Sequence, residues 1–584
     1  MKPRCTMKAD YLANEPTISF SISAAKAFVI AMLILAAAAS FAQAIPAPGL
    51  VIGSPNTATA DPPVPRPQTT PCVVQLFNNI AFADFSPKLF SFTPPASCPG
   101  PWAKVVLEAD FSVQAGRQFD RTANIWIGGT NVYFGTTSEP SRTVARSWHI
   151  ERDLTDYSTL FTSPQNGSVD LGNLVNSTFT SILFGTAELQ FYPLESRDDA
   201  PRTADLVLPL SSSSIGGSVF LNTFANPLSR TFTLPRNVER AFLDVVAQSQ
   251  ANDEFWYTCV PDDVANELQS CGLTGFRESE VSIDGQPAGV APVYPWIYTG
   301  GIDPLLWRPI PGVQTLNFVP YRVDLTPFAG LLSNGQPHQV SVNVFNADFG
   351  FSTTATLLLF LDHGSTQVTG EVTQNTIGSA PTPNVVENLT NNNGNITGNV
   401  TVTSSRSFLL AGFARTSHGR VQTKVQQDIQ FSNRQDFNIT DTVFVQNITQ
   451  NTTISSITTS RHEQDADIVT VQKMEWPLQL DFSFVVNPDG SGSQTTTIQQ
   501  AYNKRQVAPG DDGPTFSVVS NSVSPSDTLL FDSSFNITGH QNQVNTQRYF
   551  TKDSSGECFS RTITAANGLL TNIIDGVGCN DGQH

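Results

Sequence analysis

Short apolar runs alternate with turn signals along most of this chain, and few stretches repeat at helical spacing. Between residues 72 and about 215 the runs are "WAKVVLEADFSV", "ANIWIGG", "SILFGTAELQFYP" and "ADLVLPL", each of strand length. That spacing predicts an antiparallel sandwich over 72–215. "SSSSIGGS" at 211–218 is the expected seam with a second β block, 229–365, which ends in "VSVNVFNADFGFSTTATLLLFLD". Residues 366–400 are polar and rich in Asn and Thr, and read as a linker or loop. Beyond them "VQTKVQQDIQF" (421–431) alternates as a half-exposed strand does, so 401–584 is expected to form a further β-rich domain. Residues 45–71 are Pro-rich without a burial pattern and read as a linker.

Composition supports the all-β reading: 39 Phe, 39 Gly and 39 Pro in 584 residues favour short strands and turns. A net charge of −18 argues against nucleic acid, which rewards basic patches. Lys2, Arg4, Lys8 and Lys26 precede an apolar run from Ala27 to Ala42, and Ala42-Gln43-Ala44 has the small-x-small form of a cleavage site. Residues 1–44 therefore read as a secretory signal peptide, with an uncleaved anchor through 27–42 as the alternative. The expected location is the secretory pathway, outside the cell or in an acidic or vacuolar compartment, membrane-bound only if that segment stays. Asn-x-Ser/Thr sequons at Asn166, Asn176, Asn388, Asn395, Asn399, Asn438, Asn447, Asn451 and Asn536 agree with export. Six cysteines follow the signal region, and proximity alone suggests the pairs Cys72–Cys98, Cys259–Cys271 and Cys558–Cys579. No feature of the sequence sets the oligomeric state.

Searches for familiar catalytic motifs return little. There is no G-x-S-x-G elbow, and "HEQDAD" at 462–467 lacks the second His of a zincin helix, so no metal site is expected. What remains is a set of acids, arginines and tryptophans: Asp120-Arg121, Trp126, Trp148, Asp253-Glu254, Trp256, Arg277-Glu278, Asp303 and Trp307-Arg308. On residue types alone, an Asp-Arg pair before a strand is more often a turn with a surface ion pair, and a tryptophan more often core.

Several blocks change that balance. "GRQFDRTANIWIGGTNVYFGTTSEPS", "NDEFWYTCVPDD" and "TGGIDPLLWRPI" resemble the peptide-N-glycanase A family, the secretory-pathway peptide-N4-(N-acetyl-β-glucosaminyl)asparagine amidases of plants and fungi. The likeness covers about 72–365 and thins afterwards. Phe119-Asp120-Arg121-Thr122-Ala123-Asn124 is also similar, more distantly, to a stretch of bacterial peptide-N-glycosidase F that holds its catalytic aspartate, and Trp307-Arg308-Pro309 to one of its Trp-x-Pro segments. The resemblance implies two packed jelly rolls and hydrolysis of the amide joining an asparagine to the first GlcNAc of an N-glycan, with glycosylated peptides or proteins as partners and no cofactor. For that reaction Asp120 would activate water or orient the amide, Arg121 would hold Asp120 ionised or bind glycan hydroxyls, and Glu254 is the candidate second acid, with Glu278 and Asp303 competing. Trp126, Trp256, Arg277, Glu278, Asp303, Trp307 and Arg308 are the candidate substrate contacts. Two carboxylates in a partly apolar cleft would favour one staying protonated, so a mildly acidic optimum is expected, and Asp120 and Trp307 are expected to face one cleft between the jelly rolls. A secreted β-sandwich that binds glycans without catalysis is the alternative.

Overall fold

The computed structural model describes residues 49–196, 200–222, 227–378, 380–463, 467–510 and 513–579; the signal segment lies outside them. Its first sandwich holds β1 (Cys72–Phe82), β2 (Lys88–Phe92), β3 (Trp102–Val113), β4 (Thr122–Ile127), β5 (Thr130–Thr136), β6 (Arg146–Asp153), β7 (Gln165–Asp170) and β8 (Leu183–Pro193). Its two sheets run β1-β8-β3-β6 and β2-β7-β4-β5, with antiparallel pairing throughout. That order, in which the first and last strands pair and the chain crosses between sheets at every step except the β4–β5 hairpin, is a jelly roll.

The pattern repeats in the second block. It contains β9 (Leu206–Pro209), β10 (Val219–Asn222), β11 (Leu228–Thr233), β12 (Val238–Ser249), β13 (Glu278–Ile283), β14 (Gln286–Pro292), β15 (Tyr321–Asp324), β16 (Pro337–Phe345) and β17 (Phe349–Leu361). The sheets run β10-β17-β12-β15 and β11-β16-β13-β14, with β9 added beside β17. The crossing into this sandwich thus falls before Leu206, ahead of the Ser/Gly run at 211–218. Every residue of β5 is buried because its outer side meets the second sandwich. There the Tyr133 hydroxyl donates to Leu316 O (2.7 Å) and the Phe318 N–H to Phe134 O (2.8 Å).

The expected linker at 366–400 is instead mostly strand: β18 (Thr369–Asn375) and β19 (Asn384–Asn392) both pair with β20 (Asn395–Thr416). Their side chains are almost all exposed, so the ladder of main-chain bonds forms without the apolar alternation that betrays a strand. These three strands open a twelve-stranded sheet that continues through β21 (Gly419–Ile439), β22 (Val443–His462), β23 (Ile468–Val486) and β24 (Gly492–Gly510) to β29 (Leu569–Asp575). Its alternating strands turn one face inward. Phe408, Phe431, Trp476 and Phe482 on that face share a core with Trp256, Trp296 and Phe318 of the second sandwich. Burying each such side chain is worth about 1.5–3 kcal/mol.

The stretch 49–71 is no free linker either. Ala58 and Ala60 are buried, Ala60 N–H donates to Gln547 Oε1 (2.7 Å), and Arg66 pairs with Glu108 (2.5 Å) and Glu151 (2.8 Å). It straps the first sandwich to the C-terminal sheet. Cys259–Cys271 and Cys558–Cys579 are bonded; Cys72 and Cys98 are neighbouring free thiols, and burial and the Cys72 thiol push Cys98 up to about 11. Among the sequons, Asn399 and Asn451 are half-buried and the other seven asparagines exposed. No helix among the described residues is long and apolar enough to cross a membrane.

Candidate active site

The β4–β5 hairpin builds the site by its register. Thr122 opposes Thr136, and the ladder extends one rung further: Thr137 N–H donates to Arg121 O (2.8 Å) and Arg121 N–H to Thr137 Oγ1 (2.8 Å). Asp120 enters the hairpin at the end where Glu139 leaves it, so the two acids meet beyond the last rung. Thr299 stitches a third segment to them, its hydroxyl donating to Thr137 O (2.9 Å) while Glu139 N–H donates to its Oγ1 (2.9 Å). The next residue is Gly300, where a Cβ would overlap both Asp120 Oδ1 and Glu139 Oε2. Any larger residue there would push the acids apart.

Glu254 joins from the second sandwich, just past the 3-10 turn Ala251–Asp253. Tyr298 borders both Glu254 and Asp120, its hydroxyl donating to Ser249 O (2.6 Å) at the end of β12. Burial pushes Asp120 up to about 6, against the pull of its own N–H, Arg121 and the Gly300 N–H. Glu139 is pushed up to about 8 by burial and the Asp120 charge, with Arg308 opposing; Glu254 reaches about 8 from burial and Asp120, with no cation opposing. Three carboxyls in a dry, shared space cannot all ionise cheaply, so their protons are released at separate pH values.

Two arginines border the acids. Arg308 Nη2 donates to Glu139 Oε1 (3.3 Å) and Pro140 O (3.0 Å), and Arg121 Nη2 donates to Gln118 Oε1 (2.7 Å). Each leaves a buried Nε–H without an acceptor. Arg146, 3% exposed at the head of β6, stands beside Arg308, and burial and that neighbour push its guanidinium down to about 10.

The other residues singled out from sequence lie apart or serve as supports. Trp126 and Trp256 are sealed in the core, the first beneath Gly216 and the second against Phe431, so neither offers a face to a sugar. Trp307 is 2% exposed; its indole N–H donates to Gly301 O (3.0 Å), bracing the loop behind Gly300 rather than lining a cleft opposite Asp120. Arg277 forms a buried ion pair with Asp253 (2.9 Å), whose second oxygen accepts the N–H groups of Asp348, Phe349 and Gly350. Glu278 pairs with Arg406 (2.5 Å) of the C-terminal sheet, and Asp303 contacts Asp527 of that sheet. Arg277, Glu278 and Asp303 are thus each held by partners within the fold. Asp253→Ala is expected to cost about 3–5 kcal/mol by leaving Arg277 buried and unpaired, read as a drop in thermal midpoint.

Glu139 is not among the residues singled out from sequence, although the hairpin around "GGTN" brings its stretch back beside Asp120. A cavity of about 1070 Å³ between the sandwiches and the C-terminal sheet is lined by none of these three carboxyls.

The chain is 34% identical over 393 residues to peptide-N4-(N-acetyl-beta-glucosaminyl)asparagine amidase A of Prunus dulcis, covering 64% of this chain and 67% of that one. Among solved structures, PNGase F, a glycosylasparaginase from Flavobacterium meningosepticum, matches at 14% identity over 50% of this chain and 96% of that one, with a TM-score of 0.33. PNGF-II matches at 12% identity over 50% of this chain and 65% of that one, with a TM-score of 0.36. Residues 61–376 match the family model described as peptide N-acetyl-beta-D-glucosaminyl asparaginase amidase A, and the chain belongs to that family.

Proposed function

We propose that this protein hydrolyses the amide between an asparagine side chain and the first GlcNAc of an N-glycan on peptides or glycoproteins. The observation that carries the reading is the trio Asp120, Glu139 and Glu254, brought together from three segments with their proton affinities split. Amide hydrolysis needs a base for water, donors for the carbonyl oxygen and an acid for the leaving nitrogen. Asp120, ionised above about 6, takes a proton from water as its oxygen bonds to the amide carbon. Arg121 and Arg308 supply N–H donors toward the oxygen that gains charge. Glu254, neutral up to about 8, gives its proton to the nitrogen as the carbon–nitrogen bond breaks. The proton taken by Asp120 then restores Glu254. Aspartate stays on the peptide, and the glycan leaves as a 1-amino sugar.

These groups also set the pH profile. Activity is expected to rise as Asp120 ionises near 6 and to fall as Glu254 loses its proton near 8. The optimum lies between those limits; one above pH 8 contradicts the assignment. Incubation of the purified protein with a glycopeptide, followed by mass spectrometry, tests the reaction itself. Conversion of the linked Asn to Asp supports it, whereas one GlcNAc left on the peptide would identify an endoglycosidase. A glycan-binding protein without catalysis returns the substrate unchanged. Two disulfides and mostly exposed sequons support a site of action in the secretory pathway or outside the cell.

A further inference from the structure

Two loops carry Glu254, Gly300 and Arg308, and both lie against the inner face of the C-terminal sheet, most of which falls outside the family-matched region. That face presents a row of amide side chains. Asn545 Nδ2 donates to Leu306 O and Ile310 O (both 3.0 Å), and Gln543 Nε2 to Leu305 O (3.2 Å) and Arg308 O (2.8 Å). Ala58 N–H, from the 49–71 strap, donates to Pro309 O (3.0 Å). Every carbonyl from Leu305 to Ile310 except that of Trp307 is thus held by an outside donor, with Arg308 in the middle. Gln500 reaches Pro295 O (2.6 Å), while Asn433, Gln446 and Gln435 reach Tyr257 O (2.8 Å), Thr258 O (3.0 Å) and Cys259 O (2.8 Å) after Glu254. Apart from Ala58, these donors belong to side chains that are 2% exposed or less.

The chemistry suits the task. A carbonyl buried without a donor costs about 1–3 kcal/mol. A neutral amide supplies two N–H groups without the desolvation that a buried ammonium demands. One amide can therefore tie two carbonyls on opposite sides of a turn, as Asn545 does around Arg308, and so fix where that side chain starts. The Arg308–Glu139 contact is only 3.3 Å at its closest, so a small drift of the loop breaks it.

We propose that Asn545 and Gln543 are positioning residues for the hydrolysis: they hold the Arg308 loop, and through it Glu139 and Asp120, making the C-terminal sheet a working part of the active site. The proposal rests on the amidase reading above. A second joint in the same place supports it. Asp303 and Asp527 are fully buried and in contact, and each keeps one oxygen with no donor; His540 Nδ1 lies 3.1 Å from Asp527, Arg308 lies near Asp303, and Leu305 N–H donates to Asp303 (2.8 Å). Burial and the Asp527 neighbour push Asp303 up to about 7, so below that pH a protonated Asp303 can bond to Asp527 and tie the loop to the sheet.

The test compares Asn545→Leu and Gln543→Leu with Gln427→Leu, a buried amide on the same sheet that donates to the hydroxyl of Tyr321 in β15 (2.6 Å) rather than to a carbonyl of these loops. All are made in the full chain and assayed on one glycopeptide, with thermal melts and pH profiles. The expected result is a kcat about tenfold or more lower for Asn545→Leu and Gln543→Leu, with KM little changed, since small misplacement of catalytic groups has that effect. Their pH profiles should also move, because Arg308 no longer holds Glu139 down. Gln427→Leu should lose stability without either change. Adding Asn545→Leu to Arg308→Ala should cost little more than Arg308→Ala alone. If Asn545→Leu does not fold, Gln543→Leu decides by the same readouts. Folded variants with wild-type kcat and an unmoved profile overturn this proposal alone. A wild-type protein without turnover overturns the reaction and this proposal together.

Discussion

Asp120→Asn is expected to lower glycopeptide turnover by at least ~10²-fold, the usual worth of a positioned general base, while glycopeptide binding survives. The substitution keeps the shape of the side chain and its place beside Gly300, but an amide cannot accept a proton from water. It should not destabilise the fold. Burial raises Asp120 to about 6, so the folded protein binds a proton there that the unfolded chain has already released. Such a group contributes its full stability below its unfolded pKa, near 3.9, and loses it as pH rises through about 6. At pH 7 the ionised carboxylate is a burden on the folded state, and a neutral Asn relieves it by something on the order of 1 kcal/mol. Turnover should therefore collapse while the thermal midpoint at pH 7 holds or rises. An Asp120→Asn protein that turns over glycopeptide near the wild-type rate ends the assignment, and one that melts well below wild type shows a structural role instead.

The same linkage applies to the whole cluster. Glu139 and Glu254 are raised further, to about 8, so stability should decline steadily as pH climbs from about 5 through 8. Glu151 runs the other way. Bonds from His149, Arg66 and the Val64 N–H, set against its burial, hold it down at about 2, so its contribution is lost only as pH falls from its unfolded value toward 2. A site tuned to keep protons on two glutamates costs stability at the alkaline end, where buried Asp303 also loses its proton as pH passes about 7.

The two sandwiches were legible because their strands alternate or run fully apolar between Gly and Pro turns, and that is the signal a strand buried on one or both faces must leave. β18 and β19 left no such signal, since exposed Asn and Thr strands are held by main-chain bonds that carry no sequence pattern. The strap at 49–71 failed for a similar reason: its contacts go through Ala58, Ala60 and Arg66 to partners as distant as Gln547, which no local reading can pair. Asp120 was singled out through family resemblance and Glu254 as a candidate acid within "NDEFWY", neither of them through spacing. The tryptophans misled because an aromatic in a motif block reads as a sugar platform, whereas Trp126 and Trp256 are packed under glycine and phenylalanine. The amides of the C-terminal sheet were invisible as function. Asn and Gln alternating with Val and Ile read as the wet side of a strand, and only the loop carbonyls opposite them reveal the dry one.

Glu254→Gln and Glu139→Gln should separate the acid that gives the proton from the acid that holds the site. Both glutamates stay protonated to about 8, so a neutral amide mimics the charge of either at pH 6–7. Their surroundings differ. Glu254 has no cation beside it and faces only Asp120 among the charged groups, so nothing but reaction with substrate draws its proton away. Glu139 accepts from Arg308 and from the Asp120 N–H, which makes it the hub on which Asp120 and Arg308 are oriented. Glutamine can keep the hub's hydrogen bonds but cannot donate an acid proton. Glu254→Gln is therefore expected to lose at least ~10²-fold in kcat and the alkaline limb of the pH profile with it. Glu139→Gln should retain much more activity at pH 6–7 and keep that limb, while Glu139→Ala, which leaves Arg308 unpaired, should be far worse than Glu139→Gln. The measurement is kcat against pH for the three variants on one glycopeptide. Should Glu139→Gln abolish the alkaline limb while Glu254→Gln preserves it, the roles exchange, and the proton for the leaving sugar amine comes from the hairpin that also holds the base.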